Sequence, residues 1–499
     1  MKKQLSLDVE SSDVSVKEFS HDGIFKDIVR KELEEKYRYK LVESDELNRT
    51  LVSFQGNKKT SMHNWFKYRE GFSAQLVESL LKEFKLKNNA TVLDPFSGSG
   101  TTALTANFLG FKSIGIDILP VAKLTYEVKK NILEYDVPEL KCFLKDIKNA
   151  TISVDKENFE YLTITDGAFS KNNEEELIFL RKYIIDSKYS ELSKELLLFV
   201  LMSILEEISF TRKDGQYLRW DYRSEKVKSS NKKREDMGRP PLKTKLDKGE
   251  IPTTKKTFMD VFETIVKEIE WAQNTQQTTT SKDSSRFYEG SALFELPKLD
   301  NNTISAVVTS PPYANRYDYT RTYALELNFL GLNNKGIKEL RQNLLSATVE
   351  NKSKIDELKT FYSELGFSER FNNFMQVYEN NLTLKEILES LKGRALRGEV
   401  NNKGIIRMIE GYFLELTFIY GELFRLSKSG SHVAVVNDNV RYAGEIIPVD
   451  FISCEIAEAL GFKVDKIYTL RQKKGNSSQQ MKKYGRVALR KSVTVWKKV

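Results

Sequence analysis

The segment from Thr91 to Asp117 constrains the fold of this chain more than any other part of the sequence. Thr91–Leu93 is a short β-favouring run that ends in a Gly-rich turn, and Thr101–Leu109 then resumes helical composition. Lys112–Ile116 has the composition of a second strand, with Asp117 at its end. Strand, glycine turn, helix and strand with an acid at its tip is the opening of a nucleotide-binding βαβ unit. The sequence therefore predicts an α/β fold.

The turn itself lies in Val92–Thr102, with the sequence VLDPFSGSGTT, and is typical of a loop that approaches a ligand. Gly98 and Gly100 permit unusual φ angles and close backbone approach because they carry no Cβ. The helix N-terminus that follows offers unpaired N–H groups to a carboxylate, and the lack of a following Gly-Lys-Ser/Thr excludes a Walker phosphate loop. Asp117 stands where such folds place an acid on ribose hydroxyls; the alternative is a cap for the next helix.

A second loop, Val307–Tyr319 with the sequence VVTSPPYANRYDY, follows another apolar strand. Two consecutive prolines cannot continue a ladder, so they fix a rigid loop at the carboxyl end of the strand, where ligands bind in open α/β sheets. The residues of this loop suit one kind of substrate, the exocyclic amine of a nucleic-acid base. Such an amine is a poor nucleophile because its lone pair is delocalised into the ring of the base. Ser310 and the Pro311 carbonyl can accept its two N–H bonds, and Tyr313 can hold a base that has left the duplex. The alternative is a proline-stiffened turn with a core tyrosine.

Together these two loops resemble motifs of the amino-group DNA methyltransferases, the N4-cytosine and N6-adenine group. The serine that leads SPPY is similar to the N4-cytosine branch, since adenine-N6 enzymes typically carry DPPY. KYREGFSAQLVESLL (Lys67–Leu81) also resembles the family's motif before the glycine loop. The resemblance implies a catalytic loop of Ser310, Pro311, Pro312 and Tyr313. It also implies S-adenosylmethionine binding by Phe72, Ser73, Asp94, Pro95, Phe96, Gly98, Gly100, Thr101 and Asp117.

Two further segments bear on this resemblance. Where many relatives carry Gly-Asp-Ala before the SPPY strand, this chain has Gly290-Ser291-Ala292, and the neighbouring Glu289 is a candidate replacement for the missing acid. Between the last two expected strands, GNSSQQMKKYGR (Gly475–Arg486) resembles the hairpin region of related enzymes.

The expected fold is a doubly wound, mostly parallel α/β sheet of the Rossmann-like class I methyltransferase type, with a terminal antiparallel hairpin and helical insertions. The chain is longer than one domain normally is, which favours a core with large inserted segments. We expect six regions: an N-terminal arm of loosely held chain or short helices (1–60), the cofactor-binding part of the core (61–130), a helical insertion and candidate target-recognition region (131–285), the catalytic part of the core (286–332), a second helical insertion (333–410) and the C-terminal part of the core with a basic hairpin (411–499).

Positive charge is concentrated in two segments, although the whole chain carries only +9. From Lys463 to the C-terminus there are 12 Lys and Arg against one acid, and Arg212–Lys245 holds 12 against five. A phosphate backbone is the partner that such charge most often meets. Within Thr211–Glu235, aromatic side chains alternate with basic ones, and the alternative to DNA contact is a solvated basic loop over buried aromatics. We hypothesise that this segment recognises the DNA target through Arg212, Lys213, Arg219, Trp220 and Arg223.

Composition disfavours several other classes of protein. Cys142 and Cys454 are the only cysteines, and neither they nor the three histidines have the close spacing of metal ligands, so we expect neither a disulfide nor a metal. Cytosine-C5 methylation needs a nucleophilic cysteine in a Pro-Cys loop, and neither cysteine lies in one. No stretch approaches the ~20 apolar residues of a membrane span, so we expect no membrane association and a soluble, cytoplasmic protein.

The expected substrate is double-stranded DNA, and the family resemblance suggests a cognate restriction endonuclease as a partner. Adenine N6 stays open as the target atom. Loops with Asp or Asn before Pro-Pro-Tyr also serve RNA guanines and glutamine amides, so an RNA or protein methyltransferase is a rival reading. A nucleic-acid-binding protein on an inactive methyltransferase scaffold is another, and the intact cofactor and catalytic loops argue against it.

Overall fold

The chain folds around one large mixed sheet, seen in a computed structural model. The structure describes residues 16–499 apart from 17, 45–46, 49, 70, 154–160, 215–216, 245, 276–283, 471–480 and 486. The strands are β1 (Leu41–Glu43), β2 (Thr91–Asp94), β3 (Lys112–Asp117), β4 (Thr211–Asp214), β5 (Tyr217–Trp220), β6 (Ser285–Glu289), β7 (Ile304–Thr309), β8 (Ser427–Asp438), β9 (Val440–Tyr442), β10 (Glu445–Ile447), β11 (Phe462–Leu470) and β12 (Lys491–Lys498).

Helices cover both faces of the sheet and form the inserted regions. They are α1 (Ile28–Arg38), α2 (Ala74–Phe84), α3 (Thr101–Phe108), α4 (Pro120–Lys130), α5 (Val137–Asn149), α6 (Lys171–Ile185), α7 (Glu191–Ser203), α8 (Leu205–Ile208), α9 (Glu225–Asp236), α10 (Thr254–Thr275), α11 (Ala292–Glu295), α12 (Tyr319–Thr322), α13 (Ala324–Phe329), α14 (Asn334–Asn343), α15 (Ile355–Glu364), α16 (Ser368–Glu379), α17 (Leu382–Leu396), α18 (Gly404–Leu426), α19 (Val449–Ala459) and α20 (Met481–Tyr484). Among the described residues, no helix combines the length and the apolar character that crossing a bilayer requires.

The strand order of the main sheet is β1-β11-β12-β8-β7-β2-β3-β6. Its neighbouring strands are parallel except around β12, which runs antiparallel to both β8 and β11. This confirms the expected Rossmann-like sheet with a terminal antiparallel hairpin. Because β2 lies between β3 and β7, the glycine loop, the end of β3 and the Ser-Pro-Pro-Tyr loop meet at the same carboxyl edge.

The central strands are apolar because helices cover them on both faces. Val92 and Leu93 of β2 and Val307 and Val308 of β7 are completely buried. Strands of parallel sheets with two covered faces have near-continuous apolar runs rather than alternation. Each such side chain contributes about 1.5–3 kcal/mol by its burial, so an acid at Val307 would break the sheet beside the second loop.

The part of the N-terminal region that the structure describes is bound to the core through α1 and β1. Arg30 of α1 is fully buried and forms ion pairs at 2.9 Å with Glu386 and with Glu445. β1 adds a parallel edge strand beside β11. These partners lie 356 and 415 positions away along the chain, so no local pattern reveals them.

The two regions expected as helical insertions hold mostly helices, and the first also holds the β4–β5 hairpin. Aromatic side chains pack in both regions. In the first, Phe143 of α5 meets Phe262 of α10 edge-on, with ring centroids 5.8 Å apart. In the second, Phe371 and Phe374 of α16 face Phe418 of α18 at centroid distances of 5.3 and 5.5 Å. Buried side chains of the first region also share one hydrophobic cluster with Leu104 and Tyr126, so it packs against the core.

Candidate active site

A pocket opens at the carboxyl edge of the sheet, where β2, β3 and β7 end. Its wall includes eight of the residues proposed from the sequence: Phe72, Pro95, Phe96, Gly98, Thr101, Asp117, Ser310 and Pro312. The fold thus brings the glycine loop, Asp117 at the end of β3 and the proline loop together around one cavity. Local sequence gives each loop its shape, and the order of the strands makes the loops neighbours.

The glycine loop depends on two residues that have no side chain. Gly98 has a φ of +51° and Gly100 a φ of +81°, both in the left-handed region that other residues rarely adopt. A Cβ at Gly98 would lie 2.8 Å from the Tyr68 ring, and one at Gly100 would lie 2.7 Å from the Tyr126 ring. The loop is therefore held tightly against the core. α3 begins directly after it at Thr101, so unpaired N–H groups of a helix N-terminus lie at the pocket wall.

Asp117 joins the glycine loop to the short segment that leads into α4. Its Oδ2 accepts the Gly98 N–H at 2.8 Å, and its Oδ1 accepts the Leu119 N–H at 2.9 Å. It does not cap α4, whose N-cap residue Leu119 has no side-chain cap. Burial raises the pKa of Asp117 to about 6, partly offset by these N–H donors. A carboxylate can accept about four hydrogen bonds, so Asp117 keeps acceptor capacity for a ligand hydroxyl.

Three of the residues proposed for the cofactor, Ser73, Asp94 and Gly100, do not line the pocket. Asp94 is buried, and its Oδ1 accepts the Thr309 hydroxyl at 2.6 Å and the Phe96 N–H at 3.0 Å. Burial raises the pKa of Asp94 to about 7. Ser73 caps α2 by accepting the Leu76 N–H at 3.2 Å. Their contacts position the loops that surround the cavity.

The Ser-Pro-Pro-Tyr loop presents Ser310 and Pro312 to the pocket and buries Pro311 and Tyr313. The Ser310 hydroxyl donates to the Tyr313 hydroxyl at 3.0 Å. The ammonium group of Lys491 lies 4.9 Å from the centroid of the Tyr313 ring. Because Ser310 uses its only proton on Tyr313, its oxygen is left with acceptor capacity toward the cavity.

Several residues of the pocket wall were not proposed from the sequence. They include Tyr68, Tyr319, Ile419 and the segments 290–293 and 343–345. Tyr68 lies within Lys67–Leu81 and Ser291 within Gly290–Ala292, two segments that the sequence analysis singled out, so their place in these segments was the available signal. Glu289, the candidate replacement acid, instead forms an ion pair with Lys123 at 3.0 Å and is not part of this wall, whereas Ser291 is.

The segment between α14 and α15 closes one side of the pocket. Asn343–Leu345 belongs to the second insertion, yet it lines the cavity. Glu415 of α18 fixes this segment from below: its carboxylate accepts the Ser346 N–H at 2.8 Å and also the Ser346 hydroxyl. Lys354 completes the cluster with an ion pair to Glu415 at 2.8 Å. The insertion thus contributes directly to the pocket, which no local motif indicated.

The basic aromatic segment expected to recognise DNA, Thr211–Glu235, contains the hairpin β4–β5 and most of α9. Arg212 and Arg219 are cross-strand partners, and both are exposed. Trp220 is half-buried, and the Arg223 guanidinium forms two hydrogen bonds with Asp221, at 2.8 and 2.7 Å. β5 packs beside α12, which directly follows the second loop. The hairpin therefore stands close to the pocket.

Lys213 requires a correction to the expected DNA-contacting set. Its side chain is only 3% exposed and forms an ion pair with the buried Glu326. The Tyr323 ring lies below it, with its centroid 4.5 Å from the ammonium nitrogen. Strand residues alternate between two faces, and Lys213 with its cross-strand partner Leu218 lies on the face turned toward the core. Lys213 thus anchors the hairpin to α13 and does not reach solvent.

An open, mostly parallel sheet with these two loops at its carboxyl edge defines a Rossmann-like methyltransferase. A family model described as DNA methylase matches residues 15–128. The chain is 52% identical over 493 residues to Type II methyltransferase M.BsoBI of Geobacillus stearothermophilus, covering 99% of this chain and 96% of that protein. It is 38% identical over 492 residues to Type II methyltransferase M.AvaI of a Nostoc species, covering 96% and 95%. The chain therefore belongs to the amino-group DNA methyltransferases, the N6-adenine and N4-cytosine family.

Proposed function

We propose that this protein transfers a methyl group from S-adenosylmethionine to the exocyclic N4 of cytosine at a specific sequence in double-stranded DNA. The observation that carries the proposal is that Ser310 shares one pocket wall with Gly98 and Asp117. A neutral hydroxyl leads the proline loop, as in the N4-cytosine branch that the loop resembles. Family membership supports DNA as the substrate, and the serine supports cytosine over adenine.

The donor set of the pocket fits S-adenosylmethionine, which supplies an electrophilic methyl group when bound. Asp117 can accept hydrogen bonds from the two ribose hydroxyls. The N-terminus of α3 at Thr101 suits the carboxylate of the methionine portion. Phe72 and Phe96 offer apolar surface in the same wall.

The proline loop prepares the target amine for attack. Ser310 Oγ accepts one N–H of the amine, and the Pro311 carbonyl accepts the other, which localises the nitrogen lone pair. Tyr313 orients Ser310 because its hydroxyl oxygen accepts a hydrogen bond from the Ser310 hydroxyl. Transfer to the nitrogen would break the carbon–sulfur bond of the methyl donor, and the amine would release one proton to solvent. Catalysis then depends on positioning and on acceptors set in place beforehand.

The β4–β5 hairpin is the proposed target-recognition element, with Arg212, Arg219, Trp220 and Arg223 as its DNA-contacting residues. Arginine can form paired hydrogen bonds with guanine in the major groove, and an aromatic ring can stack on a base. Substituting Arg219→Ala together with Arg223→Ala should weaken binding and relax site preference. If affinity and site preference both stay unchanged, this assignment fails.

A role beside a restriction endonuclease completes the proposal. Two relatives that match nearly the whole chain are named Type II methyltransferases, which supports a modification enzyme with a cognate endonuclease. Such an enzyme protects its own recognition sequence. Plasmid DNA from cells that express this chain should then resist one endonuclease specificity and remain sensitive to others.

Methyl transfer to duplex DNA and to total RNA tests the proposed function. Labelled S-adenosylmethionine should methylate mixed-sequence duplex DNA and leave RNA unlabelled. Ser310→Ala should abolish transfer while cofactor affinity, measured by calorimetry, stays at the wild-type value. Label in RNA alone would overturn the DNA assignment. Cofactor binding without transfer to either nucleic acid would favour an inactive binding protein.

A further inference from the structure

Helix α9 is a surface element that has almost no core of its own. Of its 12 residues, all described by the structure, only Val227 is buried. Helices in proteins usually gain their stability from an apolar face packed on the rest of the molecule. α9 is nevertheless capped at both ends. Ser224 Oγ accepts the Val227 N–H at 3.3 Å, and Gly238 follows the helix with a φ of +64°.

The turn that follows α9 is folded back onto the helix. Arg234 Nε donates to the Pro240 carbonyl at 2.6 Å, and Asn231 Oδ1 accepts the Leu242 N–H at 2.8 Å. This arrangement leaves Met237 64% exposed and Leu242 41% exposed. An ordered turn that holds two large apolar side chains in water is typical of a surface that meets a partner.

The charge around this turn identifies the class of partner. Residues 225–249 contain nine Lys and Arg against four acids. Like charges that are close on an exposed helix destabilise it, and a polyanion removes that repulsion. Four exposed cations of this segment make no ion pair with any described residue: Lys232, Lys233, Arg239 and Lys243.

The segment 225–249 is fixed to the β4–β5 hairpin. The Thr244 hydroxyl donates to the Trp220 carbonyl at 2.8 Å, and the Tyr222 N–H donates to the Leu246 carbonyl at 3.1 Å. Lys248 inserts its ammonium group among backbone carbonyls, including that of Ser209 at 2.6 Å. The turn therefore has a defined position relative to the hairpin beside the pocket.

We propose that α9 and the turn 237–243 form a second DNA-contacting element, distinct from the β4–β5 hairpin. Lys232, Lys233 and Arg239 bind phosphates of duplex DNA, and Met237 and Leu242 enter a groove as apolar wedges. This rests on the proposed function in that duplex DNA is the substrate. Phosphate contacts position a duplex without reading its sequence, so the element sets affinity and trajectory rather than specificity.

The test uses the full chain with Lys232→Gln, Lys233→Gln and Arg239→Gln combined. The slope of log Kd against log salt should decrease in magnitude by about 3, equally for target and unrelated duplexes. Cofactor affinity and kcat at saturating DNA should equal the wild-type values. The matched control carries Lys359→Gln, Lys385→Gln and Lys403→Gln, three exposed lysines of the second insertion, and should keep the wild-type slope.

A second variant separates the wedge from the charge. Met237→Ser with Leu242→Ser should weaken duplex binding about 10-fold, because the apolar contacts with the groove are lost. The salt slope should stay constant, because neither substitution removes a charge. A triple-Gln variant with the wild-type slope and affinity would overturn the proposal. Wild-type protein that binds and methylates no duplex would instead overturn the proposed function, so the two failures differ.

Discussion

The hydroxyl of Thr309 donates a hydrogen bond to the carboxylate of Asp94 across 2.6 Å, and this bond joins the end of β7 to the end of β2. Both side chains are buried. The bond thereby ties the start of the Ser-Pro-Pro-Tyr loop to the start of the glycine loop. We infer that it sets the spacing between the target amine and the cofactor.

Thr309→Val should remove this tie at constant side-chain size. A buried carboxylate that loses a donor costs about 1–3 kcal/mol of folding free energy, and the looser spacing should lower kcat more than it changes cofactor affinity. Urea unfolding and methyl-transfer kinetics measure the two effects. Thr309→Ser keeps the hydroxyl and is the matched control. Equal kcat in the Val and Ser variants would contradict the positioning role.

The buried Asp94 should also make stability depend on pH. Burial raises the pKa of Asp94 in the folded state to about 7, from an ordinary value of about 3.8. The stability that its proton contributes is therefore fully present below about pH 4 and is lost as pH rises through 7. Asp94→Asn removes this titration. The stability of that variant relative to wild type should therefore rise by about 2–3 kcal/mol between pH 5 and pH 8. A difference that stays flat across this range would show that Asp94 does not titrate there.

Asp117 should make cofactor binding depend on pH in the opposite direction. Burial raises its pKa to about 6, and the ionised carboxylate is the better acceptor for ribose hydroxyls. The Kd for S-adenosylmethionine should fall as pH rises from 5 to 7 and then level off. Calorimetry on Asp117→Asn should show weaker binding, by about 10-fold, without that pH dependence. A wild-type Kd that does not change with pH would contradict the proposed contact between Asp117 and the ribose hydroxyls.

The hairpin β4–β5 shows which parts of the site can be predicted from the sequence and which cannot. The glycine loop, Asp117 and the proline loop were predictable because each depends on a few adjacent residues and on a known strand order. The expectation that Lys213 contacts DNA rests on its charge and on the neighbouring aromatic residues, and neither shows which face of the strand its side chain occupies. The two-residue period of a strand, which puts Arg212 outward and Lys213 inward, was the signal that could have separated them.

Other parts of the site depend on packing between distant segments. Asn343–Leu345 reaches the pocket only because Glu415, far along the chain, holds the next residue, Ser346. The N-terminal region joins the core through Arg30 in the same way. Neither relationship has a local motif, so a single sequence does not reveal them.

The revised role of Lys213 gives a prediction about folding rather than DNA binding. Lys213→Met leaves the Glu326 carboxylate buried without its partner, which should cost about 3–5 kcal/mol. Combining it with Glu326→Leu should restore much of that loss, because a buried ion pair and an apolar pair of similar size are close in energy. Urea unfolding of both variants tests this. A stable Lys213→Met protein with a reduced salt slope for DNA would return Lys213 to the DNA interface.

The chemical identity of the methylated base decides whether this protein methylates N4 of cytosine. Mixed-sequence duplex DNA is methylated by wild-type protein and by Ser310→Ala, digested to nucleosides and analysed by mass. We expect N4-methyldeoxycytidine in the wild-type reaction and no methylated nucleoside in the Ser310→Ala reaction. N6-methyldeoxyadenosine in place of N4-methyldeoxycytidine would contradict the assignment of the target atom.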